Sequence, residues 1–169
     1  DLLPINEKNI PKPNNPYALS KWLSEKLCEF SANYENVEVT ALRIFNVYGP
    51  GQNKNFLIPT IINQIKMGKE IIVQSTTPKR DFIYVDDVVN AFLLSAKQLP
   101  GFNVFNIGSG QSFSVEEIVS MIQRIYKKKL PLKSSEMNRF NEIPNVIADI
   151  SEAKNILNWE PKYSFKQGL

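Results

Sequence analysis

The sequence predicts an α/β fold with parallel strands, on three observations. Residues 17–34 place apolar side chains at helical spacing. Residues 37–48 form a β-rich, near-continuous apolar run, as a strand buried on both faces requires. Short β-rich runs at 71–73, 80–85 and 103–108 then alternate with further helical patterns.

The elements follow in order. Residues 1–16 carry Pro4, Pro11, Pro13 and Pro16 and read as loop. Pro16 fits the opening turn of a helix in which Leu19, Trp22, Leu23, Lys26, Leu27, Phe30 and Tyr34 recur. One strand is expected over 37–48, ended by Gly49-Pro50-Gly51. A polar loop over 52–55 leads to a helix over 59–67, with Gly68 as its stop. Strands at 71–73 and 80–85 flank a turn at 75–78. Asp86 and Asp87 are expected to cap a helix that runs to about 98, with acids at its positive end. A strand over 103–108 follows. Ser114 and Glu117 form a capping box that opens a helix ending near Lys129. Lys127-Lys128-Lys129 is expected at that helix's C-terminal end, where cations are favoured. Polar loop covers 138–145, a short helix runs from Ser151 to Leu157, and Trp159-Glu160-Pro161 closes it.

Composition narrows the function. With 169 residues, 43% hydrophobic and 22% charged, the chain forms one ordinary domain or two small lobes. The net charge of +3 is mild, and no basic stripe interleaves with aromatics, so no nucleic-acid partner is expected. Cys28 is the one cysteine, which excludes an internal disulfide and suggests a buried or half-buried helix residue. There is no histidine, which removes His-based triads, His general bases and most zinc sites, so no metal is expected. No apolar run approaches a membrane span and no signal peptide is visible, so a cytoplasmic protein without a membrane partner is expected. The chain opens at Asp1 rather than Met and reads as a piece of a larger one.

One pair suggests chemistry. Tyr17 and Lys21 lie four residues apart, hence on one helix face. A phenol, with a pKa of about 10, is a poor base at neutral pH; a neighbouring ammonium favours the phenolate. Such a tyrosine takes a proton from an alcohol while hydride leaves the same carbon. The pair alone is a weak signal, since two solvent-facing helix residues have the same spacing.

Six stretches raise the specificity. They are Pro16-Tyr17 through Lys21, the run from Leu42 to Pro50, Leu57-Ile58-Pro59, the run from Arg80 to Val88, the run from Phe105 to Gly110, and the run from Ala148 to Pro161. In this order and spacing they resemble the C-terminal part of the extended short-chain dehydrogenase/reductase superfamily. The branch is that of NAD-dependent sugar-nucleotide epimerases and dehydratases, with UDP-glucose 4-epimerases the most similar. The resemblance implies the C-terminal half of a Rossmann-type parallel sheet plus a small α/β substrate lobe. Residues 1–50 and 85–108 would belong to the NAD-binding part, and 51–84 and 109–169 to the nucleotide-sugar lobe.

The same resemblance implies roles. Tyr17 would be the general acid/base at the sugar hydroxyl. Lys21 would hold the nicotinamide ribose, and the backbone at Ile44 and Phe45 would lie near the nicotinamide. Asn46 would donate to a substrate phosphate; the alternative is a turn-former. Asn55, Leu57 and Gln74 fall at positions lining the nucleotide pocket, although Leu57 could equally be core. Arg80 and Arg139 would clamp the diphosphate, since a guanidinium forms two parallel bonds to phosphate oxygens; the alternative for Arg80 is an ion pair with Asp81 or Asp86. Glu142 would accept from a ribose hydroxyl, or be a solvated loop acid. Asp86-Asp87 looks like a metal or acid pair but reads as capping. Gln74-Ser75-Thr76-Thr77-Pro78 departs from an aromatic-Gly-Asp-Gly pattern common in the family, which leaves the base open.

No G-x-G-x-x-G or G-x-x-G-x-x-G turn occurs; Gly49-Pro50-Gly51 and Gly108-Ser109-Gly110 lack the third glycine. By the resemblance, that turn and the catalytic Ser or Thr lie upstream. The expectation is therefore the second half of an NAD-dependent UDP-sugar 4-epimerase, inactive by itself, with a homodimer contact through the Tyr17 helix. A 4,6-dehydratase or reductase of the same superfamily is the alternative. An inert nucleotide-sugar-binding or assembly fragment is the alternative of another class.

Overall fold

The computed structural model describes residues 3–97, 99–135 and 142–169. Helix α1 (Pro16–Tyr34) starts as its sequence demands. Pro16 occupies the first turn and Asn15 caps it, its side-chain oxygen accepting the Ala18 N–H at 2.8 Å. The chain then enters β1 (Val39–Ile44) and β2 (Asn46–Tyr48). This corrects the single strand expected over 37–48. Strand β1 pairs in parallel with β5 (Phe102–Ile107), from Val39 opposite Phe102 to Ile44 opposite Ile107. Strand β2 pairs in parallel with β4 (Lys79–Tyr84), Asn46 lying opposite Phe82. The run changes sheets at Phe45. An apolar run reports burial, not which strand buries it.

Helix α2 (Leu57–Met67) ends at Gly68, whose φ of 77° is the left-handed conformation a helix stop takes. Strand β3 (Ile71–Val73) pairs in parallel with β7 (Leu132–Ser134). Strand β4 pairs antiparallel with β6 (Ser112–Ser114). Helix α3 (Val85–Ser95) leaves β4 without a turn, with Tyr84 at its N-cap and no capping side chain. Asp86 and Asp87 therefore lie in the first turn but do not cap it. Asp87 is buried, and its carboxylate accepts the N–H groups of Lys162 and Tyr163 at 2.9 and 3.2 Å. Its carbonyl accepts the Trp159 indole at 3.0 Å. It straps the C-terminal segment to the helix, an interaction 72 to 76 residues long that no local pattern encodes.

Helix α4 (Val115–Ile125) has its expected capping box between Ser114 and Glu117. It ends before the lysine run, because Lys127 turns to φ 51°. The Lys128 ammonium donates to the Ile65 carbonyl at 3.0 Å, serving the end of α2 rather than that of its own helix. Two short helices, α5 (Ser151–Leu157) and α6 (Phe165–Gly168), finish the chain.

Two apolar clusters result. The first joins Ile58, Ile61 and Ile65 of α2 to Ile118, Val119 and Ile122 of α4, with Ile71, Phe82 and Phe165. The second joins Val88 and Ala91 of α3 to Phe105 and Ile107 of β5 and to Ala153, Leu157 and Trp159. Residues 109–169 thus contribute to both clusters. Strand alternation sets the faces around β1: Leu42 packs on the second cluster, while Arg43, on the opposite face, reaches Glu25 of α1. Helix α1 therefore covers one face of the β1–β5 pair, and α3 with α5 the other.

Candidate active site

Strands β1 and β2 part at Phe45, and their carboxyl-terminal ends open beside the start of α2. A cleft of about 910 Å³ occupies this place. Tyr17, Phe45 and Asn46 line it, and so do Asn55, Leu57, Gln74, Arg80 and Glu142. Lys21 and Ile44 lie outside the lining. Arg139 lies outside the described residues.

At the rim, Tyr17 is 72% exposed, and the Lys21 ammonium stands 5.6 Å from its ring centroid. Phenol and amine share one helix face. The other tyrosine of the cleft, Tyr48, is 2% exposed, and burial pushes its phenol well above the usual value. It donates to the Phe165 carbonyl at 3.1 Å and packs on Phe165, so it is structural.

The polar residues are held from several elements. Asn46 donates through Nδ2 to the Asp81 carbonyl at 3.0 Å. Leu57 opens α2 and also packs on the first cluster, so it serves cleft and core together. The carbonyl of Gln74 accepts the Ser134 and Ser135 hydroxyls at 3.2 and 3.4 Å, fixing its backbone at the end of β3. Arg80 does not pair with Asp81 or Asp86. Its Nη1 donates to the carbonyls of Lys79 and Ile143 at 2.8 and 2.7 Å. Its Nη2 meets Oε1 of Glu142 at 3.3 Å.

Two arrangements went unread in the sequence. Asp81 is 0% exposed and points away from Arg80, as strand alternation requires. Its Oδ1 accepts Ser109 N–H and Oγ–H, both at 2.7 Å; its Oδ2 accepts the N–H groups of Gly110 and Ala148, both at 3.0 Å. Burial pushes this carboxyl up, and these hydrogen bonds oppose the shift without cancelling it. Gly108 has to be glycine, because a Cβ there would lie 2.5 Å from the Ala148 Cβ and 2.9 Å from Oδ2 of Asp81. An aspartate inside a β-run, where that residue is depleted, was the available signal. The second arrangement joins Glu25 to Arg43 by two bonds of 2.6 and 2.9 Å, and Arg43 also donates to the Glu7 carbonyl at 2.9 Å. The hydrogen bond from Arg43 holds the Glu25 carboxyl below its usual range, and the same bond raises the guanidinium. Glu25 follows Lys21 by one turn, and Arg43 precedes Ile44, so this pair docks the Tyr17 helix on the strand that leads to the cleft. Among the described residues no group of three or more His, Cys, Asp or Glu is placed to hold a metal. Among them, too, no helix is long and apolar enough to cross a membrane.

Residues 2–169 match the GDP-mannose 4,6 dehydratase family. The chain belongs to this family. It is similar to dTDP-4-dehydro-6-deoxyglucose reductase of Escherichia coli, with 33% identity over 98% of this chain and 54% of the relative. Among solved structures, UDP-glucose 4-epimerase of Thermotoga maritima with UDP-glucose superposes with a TM-score of 0.89. Identity there is 33%, over 99% of this chain and 55% of that one. UDP-glucuronic acid 4-epimerase of Bacillus cereus, in complex with UDP-glucuronic acid and NAD, gives 0.90 at 28% identity, over 99% and 54%. The fold is thus the mixed α/β, Rossmann-like arrangement of these enzymes. The chain spans about half the length of the curated relatives it matches. Those relatives include epimerases and reductases of one superfamily.

Proposed function

We propose that this chain supplies the acid/base and substrate-binding residues of an NAD-dependent sugar-nucleotide epimerase, acting at C4 of a UDP-sugar. One observation carries the reading: Tyr17 and Phe45 share a single cleft with Asn46, Arg80 and Glu142. A phenol with an adjacent ammonium, an apolar wall, and a guanidinium set among polar side chains suit a sugar hydroxyl, a flat ring and a diphosphate. NAD, when bound, accepts hydride from the sugar carbon and returns it. The residues at and beside the rim fit its nicotinamide riboside: Lys21 and Tyr17 would offer donors to ribose hydroxyls, and Phe45 with the Ile44 backbone would border the ring.

Tyr17 Oη removes the proton of the C4 hydroxyl and later restores it. Lys21 faces the charge that develops on the phenol. Arg80, with Arg139, holds the diphosphate and so fixes the sugar at the rim. Asn46 spends one donor on the Asp81 carbonyl and offers its second to a phosphate oxygen. Asn55, Leu57 and Gln74 border the nucleoside, and Glu142 accepts from its ribose.

The outer side of α1 supports a homodimer through the Tyr17 helix. Leu19, Leu23, Leu27, Phe30 and Tyr34 form one stripe there, each between 42% and 76% exposed. A second copy of the stripe is its natural cover. A chain with one cysteine, and so no internal disulfide, suits the cytoplasm.

The test is turnover by the whole gene product, supplied with NAD and UDP-hexoses, followed by separation of the C4 epimers. Tyr17→Phe is expected to lower kcat at least about a thousandfold, with UDP affinity kept. Reduction of a 4-keto sugar nucleotide, or loss of water from C5–C6, would replace the epimerase by the reductase or the dehydratase. Binding of UDP-sugar without turnover would make this an inert binding fragment.

A further inference from the structure

The Arg80 guanidinium is held in an unusual way for an anion-binding group. Two neutral acceptors, the carbonyls of Lys79 and Ile143, take Nη1 at 2.8 and 2.7 Å and set the plane of the fork. Nη2 meets the Glu142 carboxylate, and both residues line the cleft. Their side chains are 25% and 22% exposed, so the pair is open to the cleft yet partly shielded from solvent. At 3.3 Å the contact is longer than the roughly 2.7–2.9 Å of a strong charge-assisted bond. The backbone contacts are firm, and the carboxylate contact is loose.

A diphosphate that uses this arginine meets a carboxylate already at its Nη2 edge. Two anions on one edge repel, so the carboxylate has to turn away. Once it leaves, Glu142 is a free acceptor beside the same ligand. We propose that Glu142 is an internal competitor for Arg80, displaced by the diphosphate of the nucleotide sugar and thereby released to a ribose hydroxyl. This rests on the reading that a nucleoside diphosphate occupies the cleft. The exchange makes the diphosphate and the ribose act together: a ligand with the diphosphate alone displaces Glu142 without return, whereas a nucleotide recovers a bond.

Calorimetry with inorganic pyrophosphate and with UDP tests the exchange on wild type, Glu142→Gln, Arg80→Lys and the double variant, each checked for an unchanged melting temperature. Glu142→Gln is expected to tighten pyrophosphate about three- to fivefold, the scale of a partly exposed ion pair. It is also expected to shrink the preference for UDP over pyrophosphate. In the Arg80→Lys background the tightening is expected to disappear, because the coupling belongs to the pair. Unchanged or weaker pyrophosphate binding by Glu142→Gln overturns the exchange, while Arg80-dependent UDP binding in the same experiment leaves the diphosphate reading standing. Equal tightening with Lys at position 80 overturns it too, since the charge of Glu142 then acts only through its field. If wild type binds neither probe, or Arg80→Lys weakens neither, the diphosphate reading fails and takes the exchange with it.

Discussion

The two apolar clusters sit in regions of very different character. Around α2 and α4, isoleucines at helical spacing interlock: Ile61, Ile65, Ile118 and Ile122 are at most 1% exposed. Around β1 the packing is thin. Helix α1 has no buried residue, and none of β1 is buried. The strongest polar contact that holds α1 down is the Glu25–Arg43 pair, with Arg43 tied on to Glu7. The lobe around α2 and α4 is thus self-supporting, whereas the helix that carries Tyr17 and Lys21 has no fully buried side chain and is anchored by an ion pair. The cleft residues of the lobe stand on rigid packing, and Tyr17 and Lys21 stand on a helix that asks for another surface.

The sharpest way to break this contrast is core truncation. Ile61→Ala is expected to cost about 2–5 kcal/mol, since a close-packed isoleucine leaves a cavity. Leu27→Ala, 69% exposed, is expected to stay within about 0.5 kcal/mol at dilutions that keep the chain monomeric. Denaturant unfolding with equal losses for the two would show that α1 is as well packed as the lobe. A smaller effect is expected at the polar anchor. Arg43→Ala leaves the Glu25 carboxylate half-buried and unpaired, and should destabilise by about 1–2 kcal/mol after allowing for solvent access. Amide exchange should then speed up in α1 and not in α2 or α4; uniform acceleration would contradict a local anchor.

The smallest effect is in pH, and its sign differs between Glu25 and the buried Asp81. Glu25 is held below its ordinary value of 4.5, so its contribution is present above that pH and fades as the pH falls through the lower folded value. Asp81 is raised above 3.8, so its contribution is complete below that value and is lost as the pH rises through the folded one. Acidification should therefore favour the Asp81 joint and, below about pH 4.5, loosen α1. Exchange measured by segment reads this out. Glu25→Gln should remove the acid loosening of α1 and leave the Asp81 trend in place.

Legibility followed the range of each interaction. The Asn15–Pro16 start of α1, the Gly68 stop of α2 and the Ser114–Glu117 box were readable, because each is closed within one or two turns of chain. Cleft residues such as Asn46, Asn55 and Arg80 were named from resemblance, and the fold gathers them at one place. The strand break at Phe45 was not readable, since the apolar run continues across it and its halves pair with strands far along the chain. Asp87 misled for a related reason: an acid in a first helical turn looks like a cap, and its acceptors' partners lie in a distant segment.

By itself the sequence determined where the longer helices and most of the strands lie, that Tyr17 and Lys21 share a face, and which family the chain resembles. The first two depend on periodicity and spacing, which are local, and the third on motifs that resemble those of known proteins. Only the tertiary structure decided that Arg80 meets Glu142 rather than Asp81, that Asp81 gathers the Ser109–Gly110 turn and Ala148, and that Lys128 serves α2. Such contacts join groups tens of residues apart, and a charged side chain satisfies whichever partner the packed backbone brings within reach, not the neighbour its sequence displays.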